Sequence, residues 1–583
     1  MQRALARGHV LAALALVVYC AFAPTAIVDG DNAEFASLAA LGGRAHPSGY
    51  PLYVLWLRAT SWLPAASAAH AAALATCVLA AALVAVLHAA CRAWGARPGA
   101  ASLAVAVVAA SPVVLRVHTV AEVFALNGLV VATVLWLAAR GGPLRGAARA
   151  AALAAVAGLG LCDHLTCALV APVGVLGVWR GVREARRAGV AIAAAIGAFA
   201  AGLLPAVYLV VAPDSPASWG SGGGLAGVVD LVTRRDYSGS ELAPGFGDAK
   251  PAANLAAFAA TLARAWLWLP LAAGLAMLAW RCARRAARDA ATGAQPGETR
   301  VAWLALAASW LVAGPILISR FNLDPDGFYA STVQRFHLLP MLLLAIPVAV
   351  ALDAGATRAP ALAGPRGGVL ALAVFALFAA IGWPRIARLH SRVVEANVVD
   401  TLRAMPPDGV LITASDEAEF GAVYAQAVLG VRPDVVAITW SMTARPWYAA
   451  RLAARGIAVD PQRQTQSIRA MMQHGHAVVV EDLFASVLER LPHYPFVGLV
   501  RVLPDGTPPP TVGEVAALNR DAFARFDLDH DRPGSNDGYA TLVHARYART
   551  WAEIAAAYAH AGDDASADAA RAVADQLAPG DRE

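Results

Sequence analysis

The sequence has 583 residues, of which 58% are hydrophobic and only 15% are charged, and its mean hydropathy is +0.54. This composition excludes an ordinary soluble protein and indicates a multi-pass α-helical membrane protein. The net charge of +5 comes almost entirely from arginine, since Lys250 is the only lysine. Many arginines stand in short loops between apolar segments, a pattern that reports membrane topology and argues against a nucleic-acid partner.

Apolar segments recur along the first two thirds of the chain, and each needs about 20 residues to cross the hydrocarbon layer. They lie at 10–28, 68–90, 101–117, 121–139, 150–179, 188–212, 252–280, 300–319, 336–353 and 367–384. Asp163 and His164 interrupt the segment 150–179, which predicts a bent helical hairpin with these residues at its tip. Counting the hairpin as two passes leaves the loop arginines on one side of the membrane. This predicts about 11 passes in the cell (inner) membrane and a cytoplasmic N-terminus.

The first loop, just after the first span, is unusually polar. It contains three carboxylates, a histidine and two tyrosines: Asp29, Asp31, Glu34, His46, Tyr50 and Tyr53. Helical spacing from Glu34 to Leu41 predicts a short amphipathic helix, and the acids at its start suit the positive end of its dipole. Two prolines and Gly49 then predict a stiff turn.

The same loop resembles the signature of the DUF2723 family. The matching residues are Asp31-Asn32-Ala33-Glu34, Leu41-Gly42 and His46-Pro47-Ser48-Gly49-Tyr50-Pro51-Leu52. Ala33 and Ser48 depart from the family pattern, which has glycine and proline there. The family includes TMEM-type protein O-mannosyltransferases and is similar to the GT-C superfamily of polytopic glycosyltransferases. Arg116 to Asn127 and Gly158 to Leu165 resemble further family segments, with Asp163 in place of asparagine.

The resemblance implies sugar transfer from a lipid phosphate, which needs a general base to take the proton of the acceptor hydroxyl. A carboxylate at a membrane surface has its pKa raised towards a useful value. We therefore interpret Asp31 as the base and Glu34 as a residue that orients it or binds substrate. The alternative is that both acids cap the helix and mark the end of the span, and Asp29 is left undecided.

Further polar residues fall in the loops that the predicted topology places on the same external face. The substrate-binding candidates are His46, Tyr50, Tyr53, Arg116, Glu122, Asp163, His164 and Arg335. Aromatic faces stack on pyranose rings, and guanidinium groups pair with phosphate, with Arg335 the preferred phosphate ligand. The alternatives are interfacial aromatics, an Arg116 that reaches to the membrane surface, and helix capping by Asp163.

Cofactor motifs are missing from the sequence. There is no Walker loop, no nucleotide-binding glycine cluster and no zinc spacing, and Asp324 with Asp326 resembles a calcium loop only superficially. We therefore predict no metal and no cofactor, with a polyprenyl-phosphate sugar as donor substrate.

The composition changes at about residue 385 to that of a soluble region. Strand 410–413, a helix from Asp416 to Leu429 and strand 434–439 predict an α/β fold. Residues 461–500 predict a second such unit, with helix 466–473, strand 477–480 and helix 482–490. Residues 504–510 are predicted to form a linker, and residues 537–578 are predicted to form two Ala-rich helices. We predict a membrane domain over 1–384, an extracytoplasmic α/β domain over 385–510 and a C-terminal helical segment over 511–583 that ends in a helical hairpin.

These features together favour a GT-C-like membrane glycosyltransferase. Its partners would be the bilayer, a lipid-linked sugar donor and a protein or glycan acceptor. A transporter or flippase of lipid-linked saccharide would predict paired intramembrane charges and inverted repeats, and neither occurs in the sequence. A membrane-anchored binding or scaffold protein would not need so many spans.

Overall fold

Apolar helices form most of the chain before residue 390. The computed structural model describes residues 2–220, 224–237, 249–284, 298–326, 329–356, 364–414, 416–481, 489–528, 530, 532–534 and 538–578. The helices of this part, α1 to α18 in chain order, are Gln2–Phe22, Asn32–Leu41, Pro51–Thr60, Ala68–Ala93, Pro98–Ala109, Pro112–Val117, Phe124–Ala138, Gly146–Leu161, Ala171–Glu184, Ala188–Gly202, Tyr208–Val211, Leu225–Val232, Pro251–Trp266, Trp268–Ala283, Arg300–Leu311, Ala330–Arg335, Leu338–Gly355 and Pro365–Leu389. Alanine and leucine dominate the longer ones, and both residues favour helix intrinsically.

Among the described residues, five helical segments are long and apolar enough to cross a membrane, and the bent pair α13 and α14 makes a sixth if it is one span. The five are Ala68–Ala93, Leu165–Glu184, Ala188–Val211, Ala330–Gly355 and Pro365–Ala404. Shorter apolar helices of 10–17 residues accompany them, at Gly8–Phe22, Pro98–Ala109, Phe124–Ala138, Gly146–Leu161 and Arg300–Ile316. Because a span takes about 20 residues, about 11 passes would require these shorter helices to cross as well. That number stays a prediction.

Two segments differ from the predicted single spans. The segment 252–280 is broken at Leu267, where α13 and α14 meet at a bend of 106°, because Leu267 adopts a non-helical φ of 58°. The segment 101–117 is divided into α5 and α6 at Pro112, whose ring disfavours helical geometry in the residue before it. The predicted hairpin around Asp163 is present, with α8 packed along α9.

A five-stranded sheet follows the last apolar helix. Its strands β1 to β5 are Val410–Thr413, Val436–Thr439, Val478–Val480, His493–Phe496 and Leu499–Val502, in the spatial order β2-β1-β3-β5-β4. β1 runs parallel to β2 and β3, while β5 is antiparallel to β3 and β4. The helices α19 to α22 of this region are Val393–Ala404, Asp416–Ala427, Pro446–Ala453 and Gln464–Gln473. Most of the predicted helix 482–490 lies outside the described residues.

The C-terminal part is helical, with α23 to α25 at Val512–Phe523, Tyr539–His560 and Asp564–Leu577. α24 and α25 pack as the predicted hairpin. Thr511 and Glu514 form a reciprocal capping box at the start of α23.

The α/β region packs directly on the first loop. The Ile27 N–H donates to Glu395 Oε2 at 3.0 Å, and the Ala69 N–H donates to the Tyr424 hydroxyl at 3.4 Å. Ile27 shares one apolar cluster with Phe420 and Tyr424 of α20. The polar residues of the first loop are therefore enclosed between the membrane helices and the sheet region.

Candidate active site

The loop between α2 and α3 is held in place by Glu34. Helix α2 ends at Gly42, whose φ of 75° is accessible to glycine without strain. Glu34 Oε1 accepts the His46 N–H at 2.7 Å, and Glu34 Oε2 lies 2.6 Å from His46 Nδ1. His46 Nε2 lies 3.1 Å from the Tyr50 hydroxyl. Glu34, His46 and Tyr50 thus form one continuous hydrogen-bonded chain.

Arg335 joins two carboxylates from segments that are remote in sequence. Its Nη1 donates to Asp31 Oδ2 at 2.9 Å and to Glu122 Oε1 at 2.7 Å. The Asp31 N–H also donates to Glu122 Oε1, at 3.2 Å. The side chain of Asp31 is 26% exposed and that of Glu122 only 3%. Asp31 is therefore the carboxylate that an incoming molecule reaches more easily.

A cavity beside this cluster is lined by cationic side chains. It is partly open, encloses about 330 Å³ of space with open solvent included, and is bounded by Asp29, Gly30, Arg116, Val117, Val120, Glu122, Ser331, Arg335 and His390. Arg116 forms an ion pair with Asp29, and His390 Nδ1 lies 2.7 Å from the Phe22 carbonyl oxygen. We call this the cation cavity, after Arg116 and Arg335. Two guanidinium groups beside one opening suit a phosphate group.

The tip of the α8–α9 hairpin reaches the first loop through His164. Its ring stacks on that of Tyr50, with centroids 5.8 Å apart and planes at 14°, and its Nδ1 lies 2.7 Å from Thr166 Oγ1. The neighbouring Asp163 is buried, and neither of its carboxyl oxygens has a hydrogen-bond partner among the described residues. His164 therefore belongs to the cluster, while Asp163 is enclosed behind it.

Burial and charge set different protonation states for these groups. Burial raises the pKa of Glu122 to about 7, against the opposing effect of Arg335. Burial also opposes ionisation of Asp31, but the charge and the hydrogen bond of Arg335 favour the carboxylate, and the pKa of Asp31 is lowered. Burial raises the pKa of Glu34 despite His46, and burial lowers that of His164 to about 3. Asp31 is thus ionised and His164 neutral near pH 7.

Most of the predicted site residues meet in two adjoining clusters. The first holds Asp31, Glu122 and Arg335, with Arg116 at the rim of the cation cavity, and the second holds Glu34, His46, Tyr50 and His164. Tyr53 is different: it is fully buried, its hydroxyl lies 2.7 Å from Thr76 Oγ1, and its ring packs against Phe35. That position suits packing between helices better than contact with a sugar.

Aromatic residues that the sequence does not single out surround His46. The ring centroids of Trp219 and Phe420 lie 6.4 Å and 6.3 Å from that of His46. Trp219 follows a Pro- and Ser-rich stretch of the loop after α11, and the isolated tryptophan was the only signal that the sequence offered there. Phe420 lies on α20 of the sheet region, and its pattern indicates only a buried helical position. No sequence feature connects it with the first loop.

No metal centre is found in the described parts of the chain, where no group of three or more His, Cys, Asp or Glu side chains could hold an ion. Asp324, considered above for a calcium loop, pairs with Lys250 at 3.2 Å.

Residues 31–186 match the model of a family described as the protein O-mannosyl-transferase TMEM260 N-terminal domain. This range contains every predicted site residue except Arg335, and it confirms the resemblance seen in the first loop. Protein O-mannosyl-transferase TMEM260 of Mus musculus is 26% identical to this chain over 447 residues, which are 74% of this chain and 62% of the mouse protein. The chain therefore spans less than two thirds of the length of this relative.

Two solved structures share the fold. The crystal structure of ArnT from Cupriavidus metallidurans bound to undecaprenyl phosphate has a TM-score of 0.52 and 16% sequence identity, and covers 86% of this chain and 99% of ArnT. The apo structure of the same protein has a TM-score of 0.50 and 14% identity, covering 85% and 97%. The likeness concerns the fold, and it supports the GT-C-like architecture predicted from the sequence.

Proposed function

We propose that this protein is a membrane glycosyltransferase that moves a sugar, mannose or another hexose, from a polyprenyl-phosphate donor to an acceptor hydroxyl on the extracytoplasmic face. The observation that carries the proposal is the meeting of Asp31 and Glu122 with Arg335, next to a cavity lined by two arginines. The similarity to an O-mannosyl-transferase and the fold shared with a protein crystallised with undecaprenyl phosphate support it.

The donor phosphate would bind at the cation cavity. Arg116 and Arg335 lie beside its opening, and both can donate paired N–H groups to phosphate oxygens. They would stabilise the negative charge that develops on the phosphate as the glycosidic bond breaks.

Asp31 is the proposed general base. Its contact with Arg335 lowers its pKa and makes it a weak base before the donor binds. A donor phosphate that competes for Arg335 would weaken this contact and raise the basicity of Asp31. The acceptor hydroxyl would then lose its proton to Asp31 as its oxygen attacks the anomeric carbon, and the polyprenyl phosphate would leave. Direct displacement inverts the anomeric carbon.

The test is consumption of a polyprenyl-phosphate mannose by the full-length protein in detergent or vesicles. We expect the wild type to release polyprenyl phosphate and Asp31→Asn to lower turnover by on the order of 100-fold or more, as for loss of a general base. Asp324→Asn is the matched control because Asp324 is half exposed and pairs with Lys250.

Undiminished turnover by Asp31→Asn would remove the proposed base. A wild-type protein that leaves the donor intact would remove the enzyme proposal, and movement of the uncleaved donor across vesicles would support a flippase instead.

A further inference from the structure

A second cavity approaches the cluster from the side of the sheet region. It encloses about 330 Å³ of space, open solvent included, and its lining includes Glu34, Trp219, Phe420 and Trp447. We call it the aromatic cavity after its three aromatic residues. The indole N–H groups of Trp219 and Trp447 both donate to Asp236 Oδ2, at 2.8 Å and 3.1 Å. Because one carboxylate fixes both indole edges, both rings keep a set orientation beside Glu34.

The aromatic cavity continues into a larger groove. This groove has about 1050 Å³ of space, open solvent included, and runs between the 214–216 loop and helices α20 and α21. Pro216, Glu419, Val423 and Arg451 line both the aromatic cavity and the groove. The groove therefore adjoins the cavity that Glu34 lines.

The groove carries charges of both signs. Asp214, Glu419, Arg451 and Arg455 line it, and the side chain of Asp214 is 66% exposed. Arg451 also donates to the Ser218 carbonyl oxygen at 2.8 Å, which holds the loop over the groove. A wet, charged surface of this kind suits an acceptor that arrives from water rather than one dissolved in the bilayer.

The wall of the groove includes an edge of the sheet. Val436 and Ala437 of β2 line it, and β2 is the outermost strand on that side. The Val436 N–H donates to the Gly409 carbonyl oxygen, and alternate residues of a parallel strand bond to the same neighbour. Ala437 therefore presents its backbone N–H and C=O to the groove, a donor and acceptor pair that matches one residue of an extended peptide.

Side chains cover the edge on both sides of Ala437. The Val435 carbonyl oxygen accepts from Gln426 at 2.7 Å and Arg455 at 3.2 Å, and the Thr439 N–H donates to the Tyr448 hydroxyl at 2.9 Å. The open edge is thus restricted to one backbone position, which limits pairing to a short segment.

From this arrangement we propose that the groove binds an extended polypeptide acceptor and delivers its Ser or Thr hydroxyl past Trp219 and Trp447 towards Glu34 and Asp31. The inference rests on the proposed glycosyl transfer for the fate of that hydroxyl. It assigns acceptor binding to the sheet region and donor binding to the membrane helices.

The experiment compares Val423→Trp with Leu429→Trp in the full-length protein. Val423 lies where the cavity and the groove meet, whereas Leu429 is exposed just beyond α20 and lines neither. With polyprenyl-phosphate mannose and a short synthetic Ser/Thr-containing peptide, we expect Val423→Trp to lower transfer to the peptide about tenfold or more. Leu429→Trp should match the wild type, and polyprenyl phosphate binding is measured for both variants to report folding of the donor site.

A photo-crosslinking amino acid at each position gives a measurement that does not need turnover. The labelled peptide should crosslink to position 423 and not to position 429. Normal peptide transfer by Val423→Trp, or equal crosslinking at both positions, would overturn the proposal. So would a Val423→Trp variant that loses transfer to a soluble oligosaccharide but keeps transfer to the peptide. If the wild type does not consume the donor, the glycosyltransferase proposal fails. Crosslinking of the peptide at position 423 still tests whether the groove binds a peptide.

Discussion

Glu122 is the buried carboxyl group whose protonation changes near neutral pH. Burial raises its pKa from 4.5 to about 7, so between these values the folded protein holds a proton that the unfolded chain has released. The contribution of this group to stability is therefore complete below pH 4.5 and is lost as pH rises through about 7. A glutamine at position 122 keeps a side-chain oxygen that can accept a hydrogen bond from Arg335, and its amide does not ionise.

We expect Glu122→Gln to gain thermal stability relative to the wild type as pH rises from 4.5 to 7. Melting temperatures of the two proteins in the same detergent across this range provide the measurement. A difference that stays constant with pH would contradict the shifted pKa.

Asp163 gives a second prediction, because it is buried without a hydrogen-bond partner in the described part of the chain. Burial raises its pKa well above the usual range, so the folded state holds it protonated and neutral. Asp163→Asn should then leave the melting temperature at pH 7 unchanged or higher. Asp434→Asn is the contrasting control: Asp434 pairs with Arg432 at 2.7 Å, and its loss should lower stability. A large drop in melting temperature with Asp163→Asn would mean that the folded protein needs an ionised carboxylate at this position.

The sequence indicates which residues carry the site, but it does not determine which way each side chain points. The first-loop signature identifies Asp31, Glu34 and His46 because their residue types and spacing are local properties. Tyr53 sits in the same signature yet faces Thr76 in the helical interior. Its orientation depends on how α3 packs against α4, and packing of this kind is decided by tertiary contacts.

The turn between α2 and α3 depends on a glycine. Gly49 has a φ of 87°, and a Cβ there would lie 2.8 Å from Leu231 Cδ2 and 2.9 Å from Leu209 Cδ2. Gly49→Ala adds left-handed strain of roughly 1 to 2 kcal/mol and displaces the His46–Tyr50 segment, so we expect lower turnover and a lower melting temperature.

Gly197→Ala is the matched control for this change, since that glycine lies within α10 and a Cβ there would meet nothing within 4 Å. Alanine should be neutral or stabilising at this helical position. Equal effects of the two substitutions on turnover would argue against a structural requirement for the turn.

At the scale of elements, sequence patterns do not predict every position where a helix bends or divides. Hydropathy alone predicts one span over 252–280, because Trp266, Leu267 and Trp268 are apolar and contain neither proline nor glycine. The structure bends there by 106°. By contrast, the division at Pro112 has a local cause, and the α/β units around β1 and β2 follow from short apolar strands alternating with helical periodicity.

At the scale of the whole molecule, the account requires the first loop and the sheet region to share the external face. Ser61, just after α3, and Gly189, at the start of α10, are both exposed, and the predicted topology puts them on opposite sides. In intact cells we expect a membrane-impermeant maleimide to label Ser61→Cys. Gly189→Cys should be labelled only after permeabilisation. Labelling of Gly189→Cys alone in intact cells would invert the topology.

No local sequence pattern predicts the contacts between distant segments that complete the candidate site. Asp31 and Arg335 are 304 positions apart and in direct contact, and Phe420 approaches His46 from the sheet region. The sequence supports a shared external face through its arginine distribution. The Phe420 contact arises from the packing of α20 on α2, and the Asp31 contact arises from the position of Arg335 at the end of α16. A single sequence does not encode either contact in any short pattern.

The most direct test of the central claim is a cryo-electron microscopy map of the full-length protein with added polyprenyl phosphate. We expect the phosphate to lie in the cation cavity, within hydrogen-bond distance of Arg116 and Arg335, with Asp31 beside it. A phosphate bound elsewhere, with the Arg335 contacts to Asp31 and Glu122 undisturbed, would contradict the account.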